Sequence, residues 1–234
     1  MAKKNKKTST EGNDLFENPD ALVEQLSRTE EFVEKNKNGV MIVGGVLVAA
    51  VLAFMFYNYY VTEQNKNAQR DLFQAVYYFE SDSLGRALNG DGNNFGFLEI
   101  IDEYSVTKSA NLANFYAGAT YLKLGDFESA ISYLSNFGSS DYLIQARAYA
   151  LLGDANMGIQ DYEQAVSYYE KAAKYKANKQ FSPTYLAKAA VANEKLNNIE
   201  SAIANYQTIL DDYFGAPEYM DAKKHKARLE GLVN

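Results

Sequence analysis

Three stretches of the chain repeat one another at nearly constant spacing, and this repetition restricts the fold more than any other feature. YLKLGDFESAISYL begins at Tyr121, NMGIQDYEQAVSYY at Asn156 and NEKLNNIESAIANY at Asn193. Their small central residues, Ala130, Ala165 and Ala202, lie 35 and 37 positions apart. Such a period marks stacked helical units, none of which can bury its apolar face alone. Each matched position has a physical reason. Gly125 suits a helix end, where a left-handed residue is cheap only for glycine. Asp126 and Asp161 suit the start of the next helix, capping free N–H groups. Phe127, Tyr162 and Ile199 open a buried stripe, and Leu134, Tyr169 and Tyr206 lie one turn beyond the alanines. Gly118 and Gly153 mark a close approach in the preceding helix, with Ala190 in that place in the third unit.

With these residues the segment from Asn111 to Phe214 resembles the tetratricopeptide repeat family. Departures are few. The family's tryptophan is Asn114, Tyr149 or Leu186 here, Ala177 stands where a proline usually ends the second unit, and Asn178 to Ser182 lengthen that connection. The resemblance implies a concave groove lined by the first helix of each pair. In family register the groove draws on Leu112, Phe115, Ala119 and Leu122, then Arg147, Ala150, Asp154 and Met157, then Ala187, Val191 and Glu194. The family's clamp for acidic peptide tails would need Lys and Asn where Phe115 and Ala119 stand, so that mode is not implied.

Upstream, Ala68, Leu72, Val76 and Phe79 form one apolar stripe, and Phe97, Ile101 and Tyr104 another. Gly96 lies 34 positions before Ala130. Val61 to Ser105 therefore reads as a degenerate first unit, with Gly96 at the small-residue position. Asn89 to Asn94 reads as a loop; the sixth and twelfth places of a calcium loop would fall on Asn94 and Ile100, which do not fit one. Downstream, Pro217 opens a closing helix carrying Tyr219, Met220, Ala222 and Leu229, with Lys223, Lys224, Lys226 and Arg228 outward. A polar last helix caps a solenoid.

A second feature is independent of the repeats. Gly39 to Tyr57 is nineteen residues without a charge. As a helix it spans roughly 28 Å, close to a bilayer's hydrocarbon thickness. Tyr57, Tyr59 and Tyr60 at its end suit the interface. Bulky Phe54, Met55, Phe56 and Tyr57 make a poor cleavage site, so a permanent anchor is expected in preference to a signal peptide. Lys3, Lys4, Lys6, Lys7, Arg28, Lys35 and Lys37 precede it, whereas only Lys66 and Arg70 follow closely. The positive-inside rule then puts the leading segment in the cytoplasm. Gly45, Ala49 and Ala53 repeat every four residues and offer a face for another membrane helix. Before the anchor, Asn18 and Pro19 read as cap and first residue of a short amphipathic helix with Leu22, Leu26, Phe32 and Val33 on its apolar face.

Composition removes whole classes of function. Cysteine is absent, which excludes disulfides, thiolate metal sites and a cysteine nucleophile. A lone His225 disfavours most histidine-based metal and catalytic schemes. A net charge of −7 disfavours nucleic-acid binding. No catalytic constellation, cofactor motif or small-molecule site stands out, so a non-catalytic protein is expected.

The fold class is thus all-α: a transmembrane helix followed by a tetratricopeptide-type α-solenoid with three clear repeats, one degenerate repeat and a capping helix. Residues 1–37 are read as a cytoplasmic tail, 38–60 as the transmembrane helix and 61–234 as a periplasmic domain standing directly on a bacterial inner membrane. This layout, with EFVEKNKNG before the anchor and EQNKNAQ after it, is similar to YfgM-type ancillary subunits of the SecYEG translocon. That resemblance implies a scaffold contacting emerging polypeptides or a periplasmic folding factor. The alternative is a scaffold for another envelope assembly, in cell division or outer-membrane biogenesis.

Overall fold

The computed structural model describes residues 19–233; Asn18 and the side chain of Leu22 lie outside them. Contacts divide the chain into two units, Met1–Tyr59 and Tyr60–Asn234. Within the first, helix α1 runs Pro19–Lys35. Helix α2, Lys37–Glu80, begins here with Gly39 to Tyr57 exposed throughout, and it is long and apolar enough to cross a membrane.

In the second unit every regular element among the described residues is a helix. After the end of α2 come two short helices, α3 (Leu84–Asn89) and α4 (Phe97–Glu103). Three hairpins follow: α5 (Lys108–Leu124) with α6 (Phe127–Asn136), α7 (Tyr142–Gly158) with α8 (Tyr162–Lys174), and α9 (Ser182–Lys195) with α10 (Ile199–Asp212). Helix α11, Tyr219–Val233, closes the array.

Each hairpin is held by a small residue pressed against a large one. A Cβ added to Gly118 would meet Leu134 Cγ at 2.5 Å, and one added to Gly153 would meet the Tyr169 ring at 2.5 Å. Ala190 and Tyr206 occupy these places in the third pair, both buried. Ala130, Ala165 and Ala202 are completely buried, as the repeat pattern requires. Burying a side chain such as Leu134 stabilises the fold by about 1.5–3 kcal/mol. Neighbouring hairpins meet through similar contacts, for example Gly158 at the end of α7 against the Phe127 ring of α6.

The turns inside the hairpins share one backbone pattern. The amides of Gly125 and Asp126 donate to the carbonyls of Leu122 and Tyr121. Those of Gln160 and Asp161 donate to Met157 and Asn156, and those of Asn197 and Asn198 to Glu194 and Asn193. Gly125, Gln160 and Asn197 all have positive φ, at 80°, 63° and 58°. The carboxylates of Asp126 and Asp161 then accept the amides of Ser129 and Gln164, both at 3.1 Å.

Where a degenerate first unit is expected, the structure shows the same kind of turn in a different register. At the end of α2 the amides of Asp82 and Ser83 donate to Phe79 and Tyr78, and Asp82 has a φ of 57°. This is the hairpin turn again. Counting from it, Ala87 corresponds to Ala130 and Ala75 to Gly118, and both are completely buried. Gly96, expected at the small-residue position, is instead the N-cap of α4. A Cβ there would lie 2.2 Å from the Leu88 carbonyl oxygen and 2.3 Å from the Gly90 nitrogen. It is small because a loop folds back on α3. The spacing from Ala87 to Ala130 is 43 residues, because the Gly- and Asn-rich loop and α4 interrupt the period.

That loop is organised by Asp91, which accepts the Tyr78 hydroxyl at 2.7 Å and the amides of Asn93 and Asn94 at 2.9 and 2.7 Å. The Tyr78 hydroxyl first, and then these amides, hold its carboxyl far below the usual range. On the closing helix Ala222 and Leu229 are buried as expected, but Met220 is exposed, and the helix begins at Tyr219, past Pro217. Lys226 is half-buried beside Glu230. Among the other expected outward residues, Arg228 pairs with Glu194.

Candidate functional site

The first helices of the hairpins present two clefts. The larger, about 530 Å³, is lined by Phe115, Ala119 and Leu122 of α5 and by Leu143, Ile144, Arg147 and Leu151 of α7. The end of α2 adds Phe79, and Phe181 and Tyr185 bound it from the connection to α9 and from α9 itself. Its surface is mainly apolar. Phe115 forms its floor at 6% exposure, while Leu143 stands out at 41%. Lys123 at the rim is held by Asp82 at 2.7 Å and lies over the Phe79 ring. Arg147, exposed beside the apolar floor, brings a guanidinium fork to the cleft.

The smaller cleft, about 340 Å³, lies between α7, α8, α9, α10 and α11. Met157, Ala187 and Val191 line it together with Thr184, Lys188, Tyr169, Tyr206, Glu218, Asp221, Ala222 and His225. Thr184 and Tyr185, adjacent on α9, face the smaller and larger clefts respectively.

Of the eleven residues that family register puts in the groove, Phe115, Ala119, Leu122 and Arg147 come together in the larger cleft and Met157, Ala187 and Val191 in the smaller. The other four lie elsewhere. Leu112 is half-buried in a shallow depression with Leu72 and Val76. Ala150 is 4% exposed and packs in the core between hairpins. Asp154 accepts the Tyr169 hydroxyl at 2.6 Å and pairs with Lys188 at 2.6 and 2.8 Å. Glu194 accepts the Tyr206 hydroxyl at 3.2 Å and pairs with Arg228. Burial first, and then the neighbouring carboxylate, raises both tyrosine pKa values strongly, keeping the hydroxyls protonated donors. These carboxylates tie each repeat internally and to the next, so positioning is their visible work.

Sequence reasoning missed Phe79, Leu143, Ile144, Leu151 and Phe181. Ile144 and Leu151 were within reach, since they flank Arg147 three and four residues away on one helical face. Phe79 and Phe181 lie outside the repeat motif, and only the folded chain brings them in. Gly45, Ala49 and Ala53 lie on an exposed face of α2, with nothing within 4 Å of a Cβ on Gly45.

A stack of helix pairs with a mainly apolar cleft on its first helices defines the class: an α-helical repeat array. Within it, a tetratricopeptide repeat is recognised at residues 146–179. This match takes in most of the second hairpin, with Gly153, Asp161, Ala165 and Tyr169. No curated protein matches the chain. Tetratricopeptide repeats are typically non-catalytic modules that bind protein partners, and no enzyme family is indicated.

Proposed function

We propose that the chain is a membrane-anchored scaffold whose larger cleft binds a segment of another protein. One observation carries the reading: Leu122, Leu143, Ile144, Leu151, Phe181 and Tyr185 surround an open, mainly apolar hollow beside an exposed guanidinium. Apolar surface of this kind, rimmed by polar groups, fits a partner's apolar side chains. In this reading Gly39 to Tyr57 anchors the chain in a bacterial inner membrane, and the lysine excess before it holds the leading segment in the cytoplasm. The solenoid then works in the periplasm. The layout supports a place beside the SecYEG channel, where the cleft meets emerging chains or a folding factor. Gly45, Ala49 and Ala53 would pack against a neighbouring membrane helix.

A photo-crosslinking residue at Leu143, in the full chain in native membranes, tests this. The expected result is a dominant protein adduct that Leu122→Glu reduces about tenfold with the helical circular-dichroism signal unchanged, a loss on the scale of one buried apolar anchor. SecY among the adducts supports the translocon assignment, and its absence favours another envelope assembly. No protein adduct at all would remove the cleft as a docking site. Protease added after removal of the outer membrane should digest the solenoid, and full protection would overturn its periplasmic placement.

A further inference from the structure

The charges around the smaller cleft do not balance. Two carboxylates near it are neutralised within the fold: Asp154 by Lys188 and Glu194 by Arg228. Two more face it, Glu218 just before α11 and Asp221 in its first turn. Glu218 Oε1 accepts the Thr184 hydroxyl at 2.5 Å. Its Oε2 is buried and finds no donor among the described residues. A buried carboxylate oxygen without a donor is costly, and the natural remedy is a charged N–H group from outside. Asp221 is exposed and offers further acceptors at the mouth.

The walls suit such a visitor. Tyr169 and Tyr206 supply ring surface, and Met157 and Val191 supply apolar surface for a methylene stem. Lys188 already lies over the Tyr169 ring, 5.6 Å from its centre, so a cation is at home against this aromatic lining. His225 is stacked on Tyr206 with ring centres 5.6 Å apart and lines the cleft as well. An acidic side chain would meet Glu218 and Asp221 with like charge.

We infer that the smaller cleft receives a lysine or arginine side chain of the partner polypeptide, with Glu218 and Asp221 as its acceptors. This rests on the reading of the solenoid as a protein-binding scaffold. Because Thr184 and Tyr185 sit side by side on α9 and face different clefts, one bound segment can place an apolar residue in the larger cleft and a basic one in the smaller.

The test is selection of a phage-displayed library of random 12-residue peptides on the full chain in detergent micelles. Parallel selections use Glu218→Gln, Asp221→Asn and, as a control of equal charge change, Glu200→Gln on the exposed surface of α10. Gln at 218 keeps an oxygen for Thr184. The expected result is enrichment of peptides with a lysine or arginine near apolar residues, retained on Glu200→Gln. Individual peptides should bind about tenfold more weakly to Glu218→Gln, as for loss of one charge-assisted hydrogen bond. Binders without basic residues, or basic binders indifferent to both cleft substitutions, would overturn the inference and leave the scaffold reading standing. Failure to recover any binder would count against both.

Discussion

The stretch from Tyr60 to Tyr104 and the three hairpins from Lys108 to Asp212 use the same turn but close their cores differently. In the hairpins a glycine or alanine on one helix meets Leu134, Tyr169 or Tyr206 on the next, and the pairing recurs at almost fixed spacing. In the earlier stretch Ala75 and Ala87 keep these places, yet the second helix stops after six residues. The missing wall is rebuilt from aromatic rings brought together over long distances: Phe97 stacks on Tyr116 at 5.4 Å, and Phe79 meets Tyr116 edge-on at 5.6 Å. Hydrogen bonds across the sequence complete it, from Tyr104 to Asp71 and from Ser109 to Asn65. A short second helix can therefore stay packed where aromatic rings supply the wall that a longer helix would give.

The sharpest way to break the comparison is to add one methyl group in each region. Gly96→Ala places a Cβ against the backbone of Leu88 and Gly90, and neither can rotate away. We expect a loss of about 3 kcal/mol or more. Gly153→Ala meets a side chain instead, the Tyr169 ring, which is restrained at its far end by Asp154. A loss of about 2 kcal/mol is expected there. Denaturant titrations of both variants give the order, and equal losses would mean that the loop around Gly96 is as yielding as a hairpin core.

A smaller effect in the earlier stretch is read by pH. Tyr104 donates to Asp71 at 2.7 Å, and burial followed by this bond raises its pKa to about 12. The native state therefore holds the phenolic proton more tightly than the unfolded chain, whose tyrosines ionise near pH 10. The stabilisation is complete below about pH 10 and declines as pH rises toward about 12. Tyr104→Phe should cost about 1 kcal/mol at neutral pH, and the stabilities of wild type and variant should converge on the alkaline side. A difference that stays constant to high pH would show that the hydroxyl is not the titrating contributor.

The legible parts of this molecule are those in which a single residue carries a local physical reason. Gly125 at a helix end, Asp126 and Asp161 as caps and the three buried alanines follow from motif and period alone, and the structure places them so. The first unit was legible only in outline. Its true small residue, Ala87, is 43 positions from Ala130, and Gly96, at the expected spacing, mimics the motif for an unrelated reason. The two candidate clefts were legible in part. Helical register brings seven of the eleven groove residues into the clefts, but register cannot tell that Asp154 and Glu194 are engaged by tyrosines and cations. Nor can it supply Phe79 and Phe181, whose positions depend on the end of α2 and on an irregular connection.

The smallest effect is also the most discriminating, because the fold contains its own set of substitutions at one site. The equivalent turn position is Asp82, Gly125, Gln160 and Asn197 in the successive units, with φ from 57° to 80°. Left-handed backbone costs an ordinary L-residue about 1–2 kcal/mol, while Asn and Asp relieve part of that cost through local hydrogen bonds. Gln160 has the least relief of the four. Gln160→Gly removes the strain but adds freedom to the unfolded chain worth about 0.5–1 kcal/mol. A net gain of about 0.5–1 kcal/mol is expected, with Asn197→Gly close to neutral and Gly125→Gln losing about as much as Gln160→Gly gains. Thermal melts of the three variants measure the series. If Gln160→Gly and Asn197→Gly move the transition equally, backbone strain is not what distinguishes these turns, and the lower tolerance of glutamine for the left-handed position is offset by contacts of its own side chain.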